Sequence, residues 1–287
     1  MAHMTQHAQS STRFFLTRHK RLIQIAALVI ALLGLAWRAQ PDGRLHVFFL
    51  NTEGDAALVQ TPSGKYILID GGSDPTVLVA ALGRRLPFWR RSLEAVVLTA
   101  TDQAHAAGQV AVLARYRANI VLAPPLVTRS SLLGEWQRAL DEQATPLRRM
   151  RAGEQLAIDG VVLRVLTPGD GKERGAVLRL EYGSTSVVFS QSSAEEDEVA
   201  LVRSGTLRPA TVVAFPWQRN PHTALLAALQ PRAVVFTDGY QAARPYEATL
   251  AERRIGNATL YHEALNGTIE WSSDGNRSWM STDNAQQ

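Results

Sequence analysis

Cysteine is absent from the 287 residues. No disulfide framework and no thiolate metal site can therefore be built. Histidine is scarce as well. Of 7 in the chain, His3, His7 and His19 precede the main apolar run, which leaves His46, His105, His222 and His262 for the rest. A transition-metal centre usually draws three or four protein ligands at close spacing. Only Asp102 with His105 offers such spacing, so the stock of ligands argues against a two-metal hydrolase. No Gly-x-Ser-x-Gly elbow surrounds Ser190, Ser192 or Ser193, which speaks against a serine hydrolase. No short-period repeat is present. The excess of Lys and Arg over Asp and Glu, 30 to 26, is small, although the pI is near 9.7.

There is one long apolar run. Leu22 to Trp37 contains only Gln24 as a polar residue and follows Arg13, Arg18, Lys20 and Arg21. Sixteen helical residues span about 24 Å against a hydrocarbon core of about 30 Å, a gap that Arg21, Arg38 and Trp37 can close at the interfaces. The cationic flank predicts an N-terminus held in the cytoplasm and a folded part outside it. A cleaved signal peptide has the same layout, with Gly34-Leu35-Ala36 as its small-x-small site. The expected organisation is a basic tail over 1–21, a single-pass anchor or signal over 22–38, one domain over 45–275 and a flexible tail over 276–287.

Within the domain, hairpins precede strand–helix units, twice. Strands are expected at 45–50, 56–60, 66–69, 93–98, 120–123, 155–158, 161–166, 177–182, 186–190, 211–215, 233–237 and 268–271. Helices are expected at 75–85, 105–116, 132–143, 195–203, 222–229 and 246–255. That order predicts an α/β (α+β) fold: two sheets face to face with helices outside, an αββα sandwich.

The motifs then point to a family. Leu50-Asn51-Thr52-Glu53-Gly54-Asp55-Ala56, Thr61-Pro62-Ser63-Gly64-Lys65 and Leu68-Ile69-Asp70-Gly71-Gly72 resemble the LDVGQGDA, TPxGK and LIDGG motifs of the metallo-β-lactamase domain of ComEC-type competence proteins. The first is one residue shorter here. Asn266-Gly267-Thr268-Ile269 and Asp274-Gly275 look like that domain's closing strand. The resemblance implies a metallo-β-lactamase-like αββα sandwich that accompanies a DNA-uptake channel.

It also implies a damaged site. Where the family has THPDxDHxGG, this chain has Thr99-Ala100-Thr101-Asp102-Gln103-Ala104-His105-Ala106-Ala107-Gly108. Asp102 and His105 stay, and Ala100 and Ala104 replace ligands. The TGD segment corresponds to Ser190-Gln191-Ser192, the PHHGS segment to Pro216-Trp217-Gln218-Arg219-Asn220, and a late His-Pro to Arg244-Pro245. Asp70, Asp102 and His105 are thus remnant metal-site positions. The expectation is a non-catalytic binding or scaffolding domain with no cofactor. The alternatives are a hydrolase with a reduced zinc or manganese site that could recruit His222, and a purely structural paralogue of an active relative. Without metal, Asp70 reads as a turn residue, Asp102 as the cap of the helix at His105, and Glu195-Glu196-Asp197-Glu198 as an acidic first turn. Candidate partners are DNA, a channel subunit and the membrane. Candidate DNA contacts are Arg84, Arg85, Trp89, Arg90 and Arg91, then Arg148, Arg149 and Arg151, with Arg219 and Arg244 placed to hold a phosphate.

Overall fold

The computed structural model describes residues 40–127, 130–172, 174–237 and 247–284, together with residue 24. The chain divides after Pro41, and Asp42 onward forms one unit. The expected anchor and Arg244 lie outside the described residues. Among the described residues no helix is long and apolar enough to cross a membrane.

In Asp42 onward the alternation of apolar residues builds two sheets. β1 (Leu45–Phe49) turns Leu45, Val47 and Phe49 inward. It pairs antiparallel with β2 (Ala56–Gln60) and with β16 (Ile269–Ser273). β3 (Tyr66–Asp70) is buried on both faces and is followed in parallel by β5 (Ala95–Val97), β7 (Val121–Ala123) and β8 (Leu147–Arg149). β17 (Ser278–Thr282) closes the other edge of this eight-stranded sheet. β4 (Ser92–Leu93) and β6 (Arg117–Ala118) pair apart from it.

The second sheet has seven strands. β9 (Gln155–Ile158), β10 (Val161–Thr167), β11 (Val177–Tyr182) and β12 (Thr185–Phe189) run antiparallel. β13 (Val212–Pro216), β14 (Ala233–Thr237) and β15 (Thr259–His262) continue in parallel. The inner faces share one core, in which Phe49 meets Phe189 at 6.1 Å between ring centroids.

Helices cover both outer faces. α1 (Pro75–Arg85), α2 (Gln103–Leu113) and α3 (Ser131–Glu142) pack on the first sheet, and α4 (Glu195–Arg203), α5 (Ala224–Leu229) and α6 (Glu247–Glu252) flank the second. A last turn, α7 (Glu263–Asn266), follows β15. α1 starts where Asp74 accepts from the amides of Thr76 and Val77, with Pro75 first in the helix. Buried Gln109 of α2 donates to the carbonyl of Val97 and accepts from Trp136 Nε1, both at 2.9 Å, tying α2 to β5 and α3. The layering is the αββα sandwich that the order of elements predicts.

Four expectations change. The segment from 276 onward is not a flexible tail throughout: β17 pairs with β16 over five residues, and Met280 packs on the core. Its Ser-Trp-Met-Ser-Thr composition conceals a strand of which one face is solvated. α5 starts after Thr223, whose hydroxyl accepts from Leu226 N, and not at His222. Asp102 stands at the N-cap of α2 without a side-chain capping bond, because its carboxylate turns to His105. Finally, β8 and β15 add strands where exposed or mixed residues gave no alternation.

Candidate functional site

The parallel strands of both sheets end on the same side of the sandwich, and the remnant positions meet there. Asp70 closes β3 with a left-handed backbone (φ 56°) and is buried. One carboxylate oxygen accepts from the amide of Thr99 and the other from its hydroxyl, each at 2.7 Å. It is therefore a tie between β3 and the loop after β5 as well as a turn residue.

Backbone contacts hold the frame. A Cβ on Gly108 would stand 1.9 Å from the carbonyl of Gly71, so only glycine lets α2 approach the Asp70-Gly71-Gly72 turn. The amide of Asp55 donates to the carbonyl of Ala104 at 3.1 Å, which brings the turn after β1 onto the start of α2.

His105 lies at the centre, fully buried. Its Nδ1 is 2.6 Å from Asp102 Oδ1 and its Nε2 is 2.8 Å from Asp55 Oδ2. Ser192 Oγ also contacts Nε2. Burial works against a charged ring. The hydrogen bonds to Asp102 and Asp55, and the charges of Asp70 and Asp55, outweigh it and hold His105 well above the ordinary imidazole range. Each ring nitrogen thus faces a carboxylate oxygen within hydrogen-bond distance, an arrangement that favours the charged form of the ring. Asp102 responds in turn: burial opposes its charge, but the bond to His105 holds its carboxyl below the usual range. Burial pushes Asp70 up to about 7, only partly offset by the charge of His105 and the bonds from Thr99.

The structure places Asp70, Asp102 and His105, the positions named from the sequence, at one end of the sandwich, and adds Asp55 and Ser192, which sequence reasoning missed. Asp55 sits in the Gly54-Asp55-Ala56 motif and passed for a turn residue. Ser192 is 87 positions from His105 and carries no local signal. His222 is exposed in the loop before α5 and donates its amide to Asn220. His46 lies at the opposite end of the first sheet, between Asp42 and Glu270.

Two chemistries can be weighed. Ser192, His105 and Asp102 stand in the order nucleophile, base, orienter. A base needs a lone pair on Nε2, and here that nitrogen is shared between Ser192 and the carboxylate of Asp55, which favours a proton on it and works against that role. A metal centre needs converging lone pairs. Both nitrogens of His105 and both oxygens of Asp70 are occupied, Ala100 and Ala104 offer none, and no group of three or more His, Asp or Glu among the described residues is arranged to hold a metal. Among the described residues, Asp55 Oδ1 is the one buried side-chain atom of the centre without a partner. The residues do not fit a two-metal site.

The candidate contacts divide. Arg219 makes a bidentate pair with buried Glu198, at 2.6 and 3.0 Å, and donates to the carbonyl of Ser193. Its guanidinium is occupied, and Glu198 is a buried partner besides an acidic residue of the helix start. Arg85 leans over Phe48 and lies 3.7 Å from Asp283, and Arg90 donates to the carbonyl of Gly64. Arg84, Trp89 and Arg91 are exposed. So are Arg148, Arg149 and Arg151, on and just after the edge strand β8.

No protein-family model matches the chain, and no curated protein matches it in sequence. Solved structures do match in shape. CmlA, a diiron β-hydroxylase from Streptomyces venezuelae, matches with a TM-score of 0.53 at 15% identity, over 78% of this chain and 53% of CmlA. The chain thus spans about half the length of CmlA. The metallo-β-lactamase fold protein YhfI from Bacillus subtilis gives 0.53 at 12% identity, covering 82% and 99%. A diphosphatase of the PhnP family gives 0.51 at 16%, covering 79% and 98%. The fold of this chain is the metallo-β-lactamase fold.

Proposed function

We propose that this chain is a non-hydrolysing metallo-β-lactamase-fold domain, anchored through Leu22–Trp37 with its folded part outside the cytoplasm, that serves as a DNA-contacting scaffold in DNA uptake. The observation that carries the loss of hydrolysis is the state of His105, whose two ring nitrogens are both engaged by carboxylates. The uptake role rests on the resemblance of the Asn51–Ala56, Thr61–Lys65 and Leu68–Gly72 motifs to ComEC-type proteins. The DNA contact is assigned to Arg148, Arg149 and Arg151, exposed beside β8 at the end of the sheet where the old site lies.

Metal analysis of the purified chain and a nuclease assay in manganese test the first part. The expected result is negligible bound metal and no cleavage. Filter binding tests the second. Three phosphate contacts give a slope of log affinity against log salt of about −2 for single strands to −3 for duplex. Lack of affinity at low salt would remove the DNA role.

One atom favours a second reading, a hydrolase with a reduced zinc or manganese site. Asp55 Oδ1 is buried without a partner, and a cation is one way to satisfy it. Stoichiometric metal and cleavage abolished by a chelator would establish that reading instead.

A further inference from the structure

The end of the sandwich opposite His105 carries a surface of another kind. There β1 begins, β2 ends at Gln60, opposite His46, and β3 begins at Tyr66. The turn Pro87–Arg90, closed by a 2.8 Å bond between Arg90 N and Pro87 O, sits beside the Thr61–Lys65 turn through Arg90 and the carbonyl of Gly64. At its tip Phe88 is 65% exposed and Trp89 is 47% exposed. They touch edge to face at 4.7 Å, and neither is covered by the fold.

Arg84 and Arg91 flank this turn in the chain, Arg117 lies opposite Ser92 across the β4–β6 pair with its amide on the Arg91 carbonyl, and Arg115 is two residues before it. All four are exposed and make no ion pair with a described residue. Most acidic groups of the same end are taken, Asp42 by His46 and Arg44, Asp159 by Lys65 and Asp274 by Arg277, while Glu94 accepts from Asn119. Trp279, 40% exposed under Arg44, adds a third aromatic. Aromatic tips among unpaired arginines match the headgroup region of an anionic bilayer, where rings lodge at the interface and cations meet phosphates.

Covalent connection points the same way. Seven residues separate Trp37 from Leu45. If the apolar run lies in a bilayer, β1 starts within about 25 Å of it at full extension.

We infer that the Pro87–Arg91 turn docks on the anionic surface of the membrane that carries the chain, turning the His105 end away from it. This rests on the anchor reading above.

The absence of cysteine makes the test clean. Phe88→Cys, Val127→Cys at the His105 end and Leu28→Cys in the apolar run each take one environment-sensitive fluorophore. The full chain is then reconstituted in phosphatidylcholine–phosphatidylglycerol vesicles that contain brominated acyl chains. The expected result is quenching and a blue shift at 88 and quenching at 28, with neither at 127. Changing Arg84 or Arg91 to Gln should lower the docked-to-free ratio about fivefold each. Quenching at 28 without quenching at 88 overturns the docking and leaves the anchor standing. No quenching at 28 overturns both. A label at 88 that ignores lipid and responds to added DNA makes this face a nucleic-acid surface, and also overturns the inference.

Discussion

Replacing His105 with alanine withdraws the cation at the centre of three carboxylates. Asp55 and Asp70 are almost wholly buried, whereas the Asp102 side chain is 55% exposed and water screens it. Asp102 therefore contributes at most about 1 kcal/mol to the loss. Asp55 decides the size: leaving one member of a buried pair uncompensated costs about 3–5 kcal/mol. A domain stable by about 5–15 kcal/mol would lose a large share of that. The cost should depend on pH. Asp70, pushed up to about 7, is neutral at pH 5 and needs no counter-charge there. At pH 8 wild-type Asp70 is charged, and without His105 to hold it down the variant must either bear the repulsion or keep the proton at a cost, so the penalty is larger than at pH 5. The assay is urea unfolding of wild type and variant at both pH values, with chelator throughout. Chelator is the essential control, because a residue whose only role was to bind metal would cost nothing in its presence. A variant within about 1 kcal/mol of wild type at pH 8, below the range expected for a broken buried pair, would refute the view that His105 supplies the charge of this centre.

Three further outcomes follow from the same geometry. Asp70→Asn should flatten the pH dependence of stability between pH 4 and 6.5. In wild type the raised group binds its proton more tightly when folded, so it favours folding below pH 3.8 and loses that contribution as pH rises towards 7, by ~4 kcal/mol at most; parallel unfolding profiles would contradict this. Arg219→Ala should cost about 3–5 kcal/mol by stranding buried Glu198, and adding Glu198→Gln should recover much of it, read as non-additivity in a double-mutant cycle. Gly108→Ala should destabilise by about 1–3 kcal/mol in urea unfolding, despite the better helix propensity of alanine, because its Cβ would overlap the Gly71 carbonyl.

Much of the fold was legible because burial leaves a period. Alternation gave β1, continuous apolar runs gave β3, β12 and β14, and Asp74-Pro75 marked the start of α1. β17 was missed because it buries one face only, through Met280, among serines and a threonine. Asp102 and His105 were legible as neighbours on one turn. Asp55 and Ser192 were not, since strand pairing and the packing of α2 on the Gly71 turn bring them to His105 from 50 and 87 positions away. Arg219 shows the converse. Its place in the Pro216–Asn220 segment suggested a phosphate ligand, and only the structure shows that Glu198 already occupies it.

The charge that the surrounding carboxylates favour on His105 has one consequence beyond stability. A centre whose positive charge is carried on a side chain is complete as soon as the chain folds. On the proposed metal-free reading it needs no loading step, faces no competition between metals and has no inactive form awaiting a cofactor. By this reading the loop frame around Gly71 and Gly108 keeps one shape whatever the metal supply of its compartment.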